Sequence, residues 1–381
     1  MQVVIVGGGI VGCAGAYYLA ERGADVVVCE RSNIGAGSTE RSAGGIRAQF
    51  STPVNVALSQ ASAQVWEQFE EEFDTDIAYR RPGYLFLARE EATAEGFADA
   101  VAVQNERGVP SELLTPEEAQ ERCPGLRCEA FRAATYSPTD GFADPHLALQ
   151  GFATGTRESG AEIRTGVEVT GVLREEDAVV GVETTGGRIE ADFVVNAAGP
   201  WARRIAGMVG IDLPVVPERR QIVVVEPETP VPESVPMTID LDTGSYFRPE
   251  RDGAALVGGH FSSPASADPD AYDRTTDLDW TVEALEHAAD CATYFGLDSR
   301  VRRGWAGLYA VTPDHHPIIE ETVPGFVNAV GFSGHGFQHA PATGKLVAEL
   351  VFEGSASLVD ISGLDGARFE EERTVEEWNV A

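Results

Sequence analysis

The chain of 381 residues carries 28 Lys plus Arg against 61 Asp plus Glu, a formal net charge of −33, and Lys345 is its only lysine. Such a surface cannot neutralise a phosphate backbone widely, so a nucleic-acid partner is disfavoured. No run of about 18 apolar residues is present to span a bilayer, and five cysteines, an odd number, suit a reducing compartment better than a disulfide framework.

Val3 to Val6 is a continuous apolar run, as in a strand covered on both faces. The spacing then predicts a helix over Ile10 to Arg22, closed by Gly23, and a second parallel strand at Val26 to Cys29. An amphipathic helix is expected from Asn55 to Phe73, with Leu58, Val65, Trp66 and Phe69 on its apolar side. "IAYRRPGYLFLARE" reads as a hairpin, and "EEATAEGFADAVAVQNERG" as a second helix on the surface. "LTPEEAQERCPGL" opens a helix with Thr115 as cap, Pro116 at the first helical position and Glu118 closing a capping box.

From Asp144 the pattern gives a helix, a short strand, an antiparallel meander turning at Gly186 and Gly187, and a buried strand at Phe193 to Val195. "RRQIVVVEP" and "GSYFRPERDGAALVGGH" read as strands, followed by a helix around Val282 to Phe295. Phe326 to Val330 is a buried strand, after which Gly331, Gly334 and Gly336 permit tight turns. Pro341 suits the first position of a last helix with Leu346, Val347, Leu350 and Val351 on its apolar face and Gly354 at its end. The acidic stretch after Asp365 reads as a solvated end.

Gly7, Gly9 and Gly12 match G-x-G-x-x-G between a strand and a helix, with Glu30 at the end of the next strand. Gly7 permits the tight turn, Gly9 lets backbone approach a pyrophosphate, Gly12 allows close helix packing, and Glu30 can accept from ribose hydroxyls. The motif alone does not separate NAD from FAD. "ERSNIGAGSTERSAGGIR", "VNAAGPWA" and "GFSGHGFQHAP" do: together with the glycine motif the chain resembles, over essentially its whole length, the D-amino acid oxidase and sarcosine oxidase family of FAD-dependent oxidoreductases. The resemblance is nearest to its amine-oxidising branch, with sarcosine oxidase beta subunits, dimethylglycine dehydrogenase and archaeal L-proline dehydrogenase.

The implied fold class is α/β with an α+β second part: a Rossmann-like FAD-binding domain (1–77, 144–215 and 300–381) interleaved with a mixed-sheet substrate domain (78–143 and 216–299). The resemblance implies that Gly7, Gly9, Ile10, Val11, Gly12, Glu30, Arg31, Ser38 and Thr39 hold the ADP half of FAD and that Val167 meets the adenine. Ala198, Gly199 and Trp201 would flank the cofactor's middle. Gly307, Gly331, Ser333, Gly334, His335, Gly336, Phe337 and Gln338 would reach the flavin, where a helix start favours the charge gathered on reduction.

Arg47 lines up with an arginine that binds the substrate carboxylate; the alternative is an arginine paired with a nearby acid. Tyr246, His260 and Tyr309 match active-site positions, although His260 also suits a core histidine. Arg248, two residues from Tyr246, is a second candidate for the carboxylate. His315 and His316 are adjacent and read as structural, with no metal site. Gly307 stands where related oxidases carry the cysteine bonded to flavin, which implies non-covalent FAD. Leu256 stands where they carry a lysine that assists oxygen, which puts oxidase activity in doubt.

The implied reaction is hydride transfer from a small secondary amine or amino acid to flavin N5, giving an imine, with electrons passed to a carrier protein, quinone or partner subunit. Three other readings remain: a flavin-binding subunit or assembly factor without turnover, a D-amino acid dehydrogenase or glycine oxidase-like enzyme, and a disulfide reductase using Cys123 and Cys128. The last lacks the second glycine motif it needs. Composition is similar to that of salt-loving proteins, in which about 1 M salt shortens the Debye length to roughly 3 Å. With no basic stretch ahead of the first apolar run, the expected location is cytoplasmic.

Overall fold

The computed structural model describes residues 1–261 and 266–380. A six-stranded sheet runs in the order Ile318–Val323, Phe326–Val330, Phe193–Asn196, Gln2–Val6, Asp25–Glu30 and Glu162–Thr165. Its pairings are parallel except for the antiparallel pair at the Ile318–Val323 edge. Parallel strands need cover on both faces, and Val3, Val4 and Ile5 alternate accordingly. Val3 and Ile5 pack with Leu19, Leu346 and Val347 of the helices Ile10–Glu21 and Gly336–Glu353. Val4 and Val6 pack with Val179, Val182 and Ala206, from the antiparallel meander and the helix Ala202–Gly207.

An eight-stranded mixed sheet forms the second layer, in the order Arg300–Val311, Val216–Glu226, Ala255–Gly259, Ser245–Pro249, Met237–Asp240, Tyr84–Ala88, Ala133–Ser137 and Glu112–Leu114. Only Met237–Asp240 with Tyr84–Ala88 is parallel. Val223, Val225, Phe247 and Val257 point to one face, under Ala284 and Ala288 of the helix Leu278–Cys291. Ile222, Met237, Ile239, Tyr246 and Leu256 share the other. The molecule is thus a mixed α/β protein with two principal sheets.

Several elements depart from expectation. The hairpin expected over residues 77–90 is one strand, Tyr84–Ala88, because Pro82 offers no N–H and Gly83 turns at φ +91°; Arg80 bridges instead to Phe142. The helix expected to reach Phe73 in one piece breaks at Gln68 into Pro53–Glu67 and Phe69–Phe73. Arg300–Val311, expected with the first layer, pairs along Val216–Glu226 in the second, so the chain returns to the first layer one strand later. The helix expected to end near Phe295 is Leu278–Cys291, and Tyr294 and Phe295 pack beneath Phe247. Cys123 and Cys128 are both free thiols, and burial pushes the Cys123 thiol up to about 12. The Thr115 capping box is present as expected.

Pro341 lies inside the helix Gly336–Glu353, not at its start. A helical proline lacks one N–H and displaces its neighbours from the ladder, so the interruption needs other partners. The helix Pro53–Glu67 supplies them: the Ala342 N–H donates to Ser62 Oγ at 3.1 Å, and the Gln338 carbonyl accepts from the Trp66 indole at 2.9 Å. Trp66 also stacks on Phe337, centroids 5.0 Å apart. The segment after Asp365, expected in solvent, returns to the core with Glu377 and Asn379 buried.

Candidate active site

One cavity of about 560 Å³ lies between the layers and receives the glycine turn, the Ala198 to Trp201 segment, the Gly331 to Gln338 segment and the inner face of the eight-stranded sheet. Every position expected to hold the cofactor lines it except Gly12. That residue is turned inward, and a methyl carbon there would overlap the Gly7 carbonyl oxygen. At Gly7, with φ +111°, a Cβ would stand 2.5 Å from the Ala197 carbonyl oxygen.

The helix Ile10–Glu21 starts at Gly9 with no side-chain cap. Thr39 Oγ1 takes the Ile10 N–H at 3.1 Å, and Glu30 Oε2 takes the Gly8 N–H at 2.9 Å. These two N–H groups are thus occupied, but Gly9, Ile10 and Val11 line the cavity, so the positive end of the helix faces it, as an anion site requires. The helix Gly336–Glu353 likewise begins uncapped, at His335. At the Glu30 end of the cavity, Arg31 lies over Trp201, 4.2 Å from the ring centroid. Asp270 accepts from the Trp201 indole at 2.9 Å and Arg31 at 2.7 Å; these bonds, that of Trp201 first, hold its carboxyl down to about 2. A pyrophosphate facing a helix start, a ribose near Glu30 and an isoalloxazine near Gly334 and Gly307 fit this donor set and shape.

Arg47 is the buried cation of the opposite end. It stacks on Phe50 at 3.9 Å, and its guanidinium donates to the carbonyls of Gln49 and Asn379 and to His335 Nε2 at 3.3 Å. Among the described residues none of these partners is a carboxylate. Glu377 and Asp140 act on it only through space, against a burial that pulls its pKa down. An unpaired buried guanidinium is costly unless an anion arrives. Its backbone N–H is held by Gln338 Oε1 at 2.8 Å, which is where that glutamine spends its side chain.

Tyr246 and Tyr309 line the cavity with Arg47. His260 does not; it packs edge-on against both tyrosines, centroids 6.4 and 5.6 Å away, and burial pushes its pKa down to about 3. Arg248 is also outside the lining. Its guanidinium is spent on the Ala43 and Pro249 carbonyls and on Glu250 at 3.2 Å, so the structure does not bring this second carboxylate candidate to the site. His315 faces the Glu377 carbonyl, and His316 is buried.

Sequence reasoning missed Tyr84, Arg220, Ile222, Met237, Ile239 and Trp305, all in the lining. A signal was available: Arg220 and Ile222, Met237 and Ile239, and Trp305, Gly307 and Tyr309 each repeat at two residues, the period that puts side chains on one face of a strand. Gly307 is the gap in that row, and a Cβ there would stand 2.9 Å from Arg41 Cβ.

Residues 2–350 match the model of the DAO family, FAD dependent oxidoreductase, and the chain belongs to that family. It is similar to the L-proline dehydrogenase from P. horikoshii, with 36% identity and a TM-score of 0.89 over 97% of this chain and 98% of that one. Mitochondrial dimethylglycine dehydrogenase of Rattus norvegicus is 30% identical over 97% of this chain but only 45% of its own length. Sarcosine oxidase subunit beta of Arthrobacter sp is 28% identical over the whole chain and 94% of that subunit. The chain thus spans under half of the dimethylglycine dehydrogenase it matches. Among the described residues no helix is long and apolar enough to cross a membrane.

Proposed function

We propose that the protein oxidises a small secondary amine or amino acid of the sarcosine, dimethylglycine or proline type. The observation that carries this is Arg47, a buried guanidinium with no carboxylate partner among the described residues, at the end of the cavity that Tyr84, Tyr246 and Tyr309 enclose. Bound FAD supplies the acceptor for a hydride. The chain supplies the rest: Arg47 anchors the substrate carboxylate, the tyrosines exclude water and set the distance to the ring, and the uncapped start of Gly336–Glu353 faces the charge of reduction. The six-stranded sheet is assigned to the cofactor and the eight-stranded sheet to the substrate. His335 stays neutral beside Arg47, because burial first and the guanidinium second hold its pKa well below the ordinary value. It accepts from Arg47 and does not compete for the anion.

Anaerobic addition of sarcosine, dimethylglycine or L-proline is expected to bleach the flavin absorbance. A yellow protein that none of these amines bleaches overturns the enzymatic reading and leaves a flavin-binding subunit without turnover. Leu256 supplies no cation to help oxygen, so a carrier protein or partner subunit is favoured as acceptor over oxygen. Gly307 offers no thiol, so FAD is held without a covalent bond. Acid precipitation is expected to leave the yellow colour in the supernatant; a coloured pellet contradicts this.

Asp140 adds a pH dependence. Its buried carboxylate accepts from the Ala48 N–H at 2.9 Å and Gln49 Nε2 at 3.2 Å, and burial raises its pKa to about 6. Below that pH it is protonated, and one negative charge that competes for Arg47 is gone. The dissociation constant of methoxyacetate, a sarcosine isostere without the amine, is therefore expected to fall severalfold between pH 7 and 5. Asp140→Asn should flatten the profile, read from perturbation of the flavin spectrum.

A further inference from the structure

We propose that the segment 374–380 is a positioning clasp for the substrate-binding guanidinium, with Glu377 and Asn379 as its positioning residues. The inference rests on the reading of Arg47 as carboxylate anchor.

An acidic segment with no helix or strand belongs in water, yet its exposure alternates: Glu377 and Asn379 are 0% and 1% exposed, while Trp378 between them is 36% exposed. Burying a carboxylate without a cation is unfavourable unless donors satisfy it. Glu377 meets six: the N–H and hydroxyl of Ser51, the N–H and hydroxyl of Thr52, Asn55 Nδ2 and the Asn379 N–H. Thr52 is the residue just before the helix Pro53–Glu67, so the negative charge also sits at a helix start. The segment is held on two more sides, by the Glu377 N–H to Asp314 carbonyl bond at 3.0 Å and by Trp378 stacked on Phe97 of the helix Glu91–Glu106.

What this anchorage fixes is Asn379. Its carbonyl accepts from Arg47 at 2.6 Å, and its side-chain amide donates to the Gln49 carbonyl at 2.8 Å, the second carbonyl that holds the guanidinium. Both acceptors are neutral. They orient Arg47 while leaving its charge for an incoming anion, which a carboxylate in the same place would cancel. The buried carboxylate of the clasp, Glu377, is instead saturated by Ser51, Thr52 and Asn55, while Glu376 is exposed.

The test uses the full-length, flavin-loaded protein with Glu377→Ala, Asn379→Ala and the milder Glu377→Gln. Methoxyacetate binding is followed through the flavin spectrum, and anaerobic flavin reduction by the best amine is measured alongside. Glu377→Ala is expected to raise the methoxyacetate dissociation constant at least tenfold and the amine KM by a similar factor. Flavin content should be unchanged and the limiting reduction rate should fall less. Glu377→Gln should recover part of the affinity, and Asn379→Ala should lie between. Variants that melt earlier but bind methoxyacetate as tightly as the parent overturn the clasp and leave a structural tie. A parent protein whose flavin spectrum no carboxylate perturbs overturns the reading of Arg47 itself, a separate result.

Discussion

Replacing Arg47 by alanine is expected to raise the KM for an amino-acid substrate at least about twentyfold while flavin remains bound. Truncating one partner of a buried, hydrogen-bonded charge pair costs about 2–5 kcal/mol, and each 1.4 kcal/mol is about tenfold. The guanidinium touches the Gln49 and Asn379 carbonyls, His335 and Phe50, none of them part of the glycine turn, so the nucleotide half should persist. Lysine is no conservative substitute, because a point charge cannot hold two carbonyls and an anion in one plane. Stopped-flow reduction across substrate concentration, with the flavin-to-protein ratio as control, measures both effects. Unchanged kinetics would remove the carboxylate role from Arg47, and the structure offers Arg220, in the same lining, as the cation to examine next.

Gly12→Ala is expected to yield colourless or insoluble protein. The added methyl would overlap the Gly7 carbonyl oxygen, a backbone atom that cannot swing aside, with the Ile5 side chain behind it. Relief requires moving the helix Ile10–Glu21 off the strand Gln2–Val6, which opens the turn that aims the helix start at the cavity proposed to hold the cofactor. The readout is the flavin-to-protein ratio beside the parent. A stoichiometric yellow Gly12→Ala protein would show that the turn tolerates a shift this geometry forbids.

Both positions were legible in the sequence, for different reasons. Gly12 belongs to a motif whose strand, turn and helix are contiguous, so local spacing determines its environment. Arg47 came from a resemblance, and nothing in "GGIRAQF" shows that its guanidinium meets Asn379, more than three hundred residues away. The inner face of the eight-stranded sheet was hidden for a related reason. Its strands come from distant segments, and period two within one strand does not say which face meets the cavity. Arg248 illustrates this: it lies two residues from Tyr246, yet Ala43, Pro249 and Glu250 take its donors. Pro341 and the segment after Asp365 misled in another way. Local rules put proline at a helix start and an acidic stretch in water, and partners contributed by Ser62, Trp66, Ser51 and Thr52 override them.

The order of the six-stranded sheet bears on how the chain acquires its fold during synthesis. Gln2–Val6 pairs at once with Asp25–Glu30, but its other neighbour, Phe193–Asn196, emerges far later, and the partner of that strand is Phe326–Val330. A nascent chain therefore carries an unpaired, largely apolar strand edge until about half of it has been made, and pairings at such separation are slow to form. The helix whose start lines the cavity on the other side begins later still, at Gly336. Cofactor capture is accordingly a late event, and a supply of FAD during expression should govern how much chain escapes aggregation.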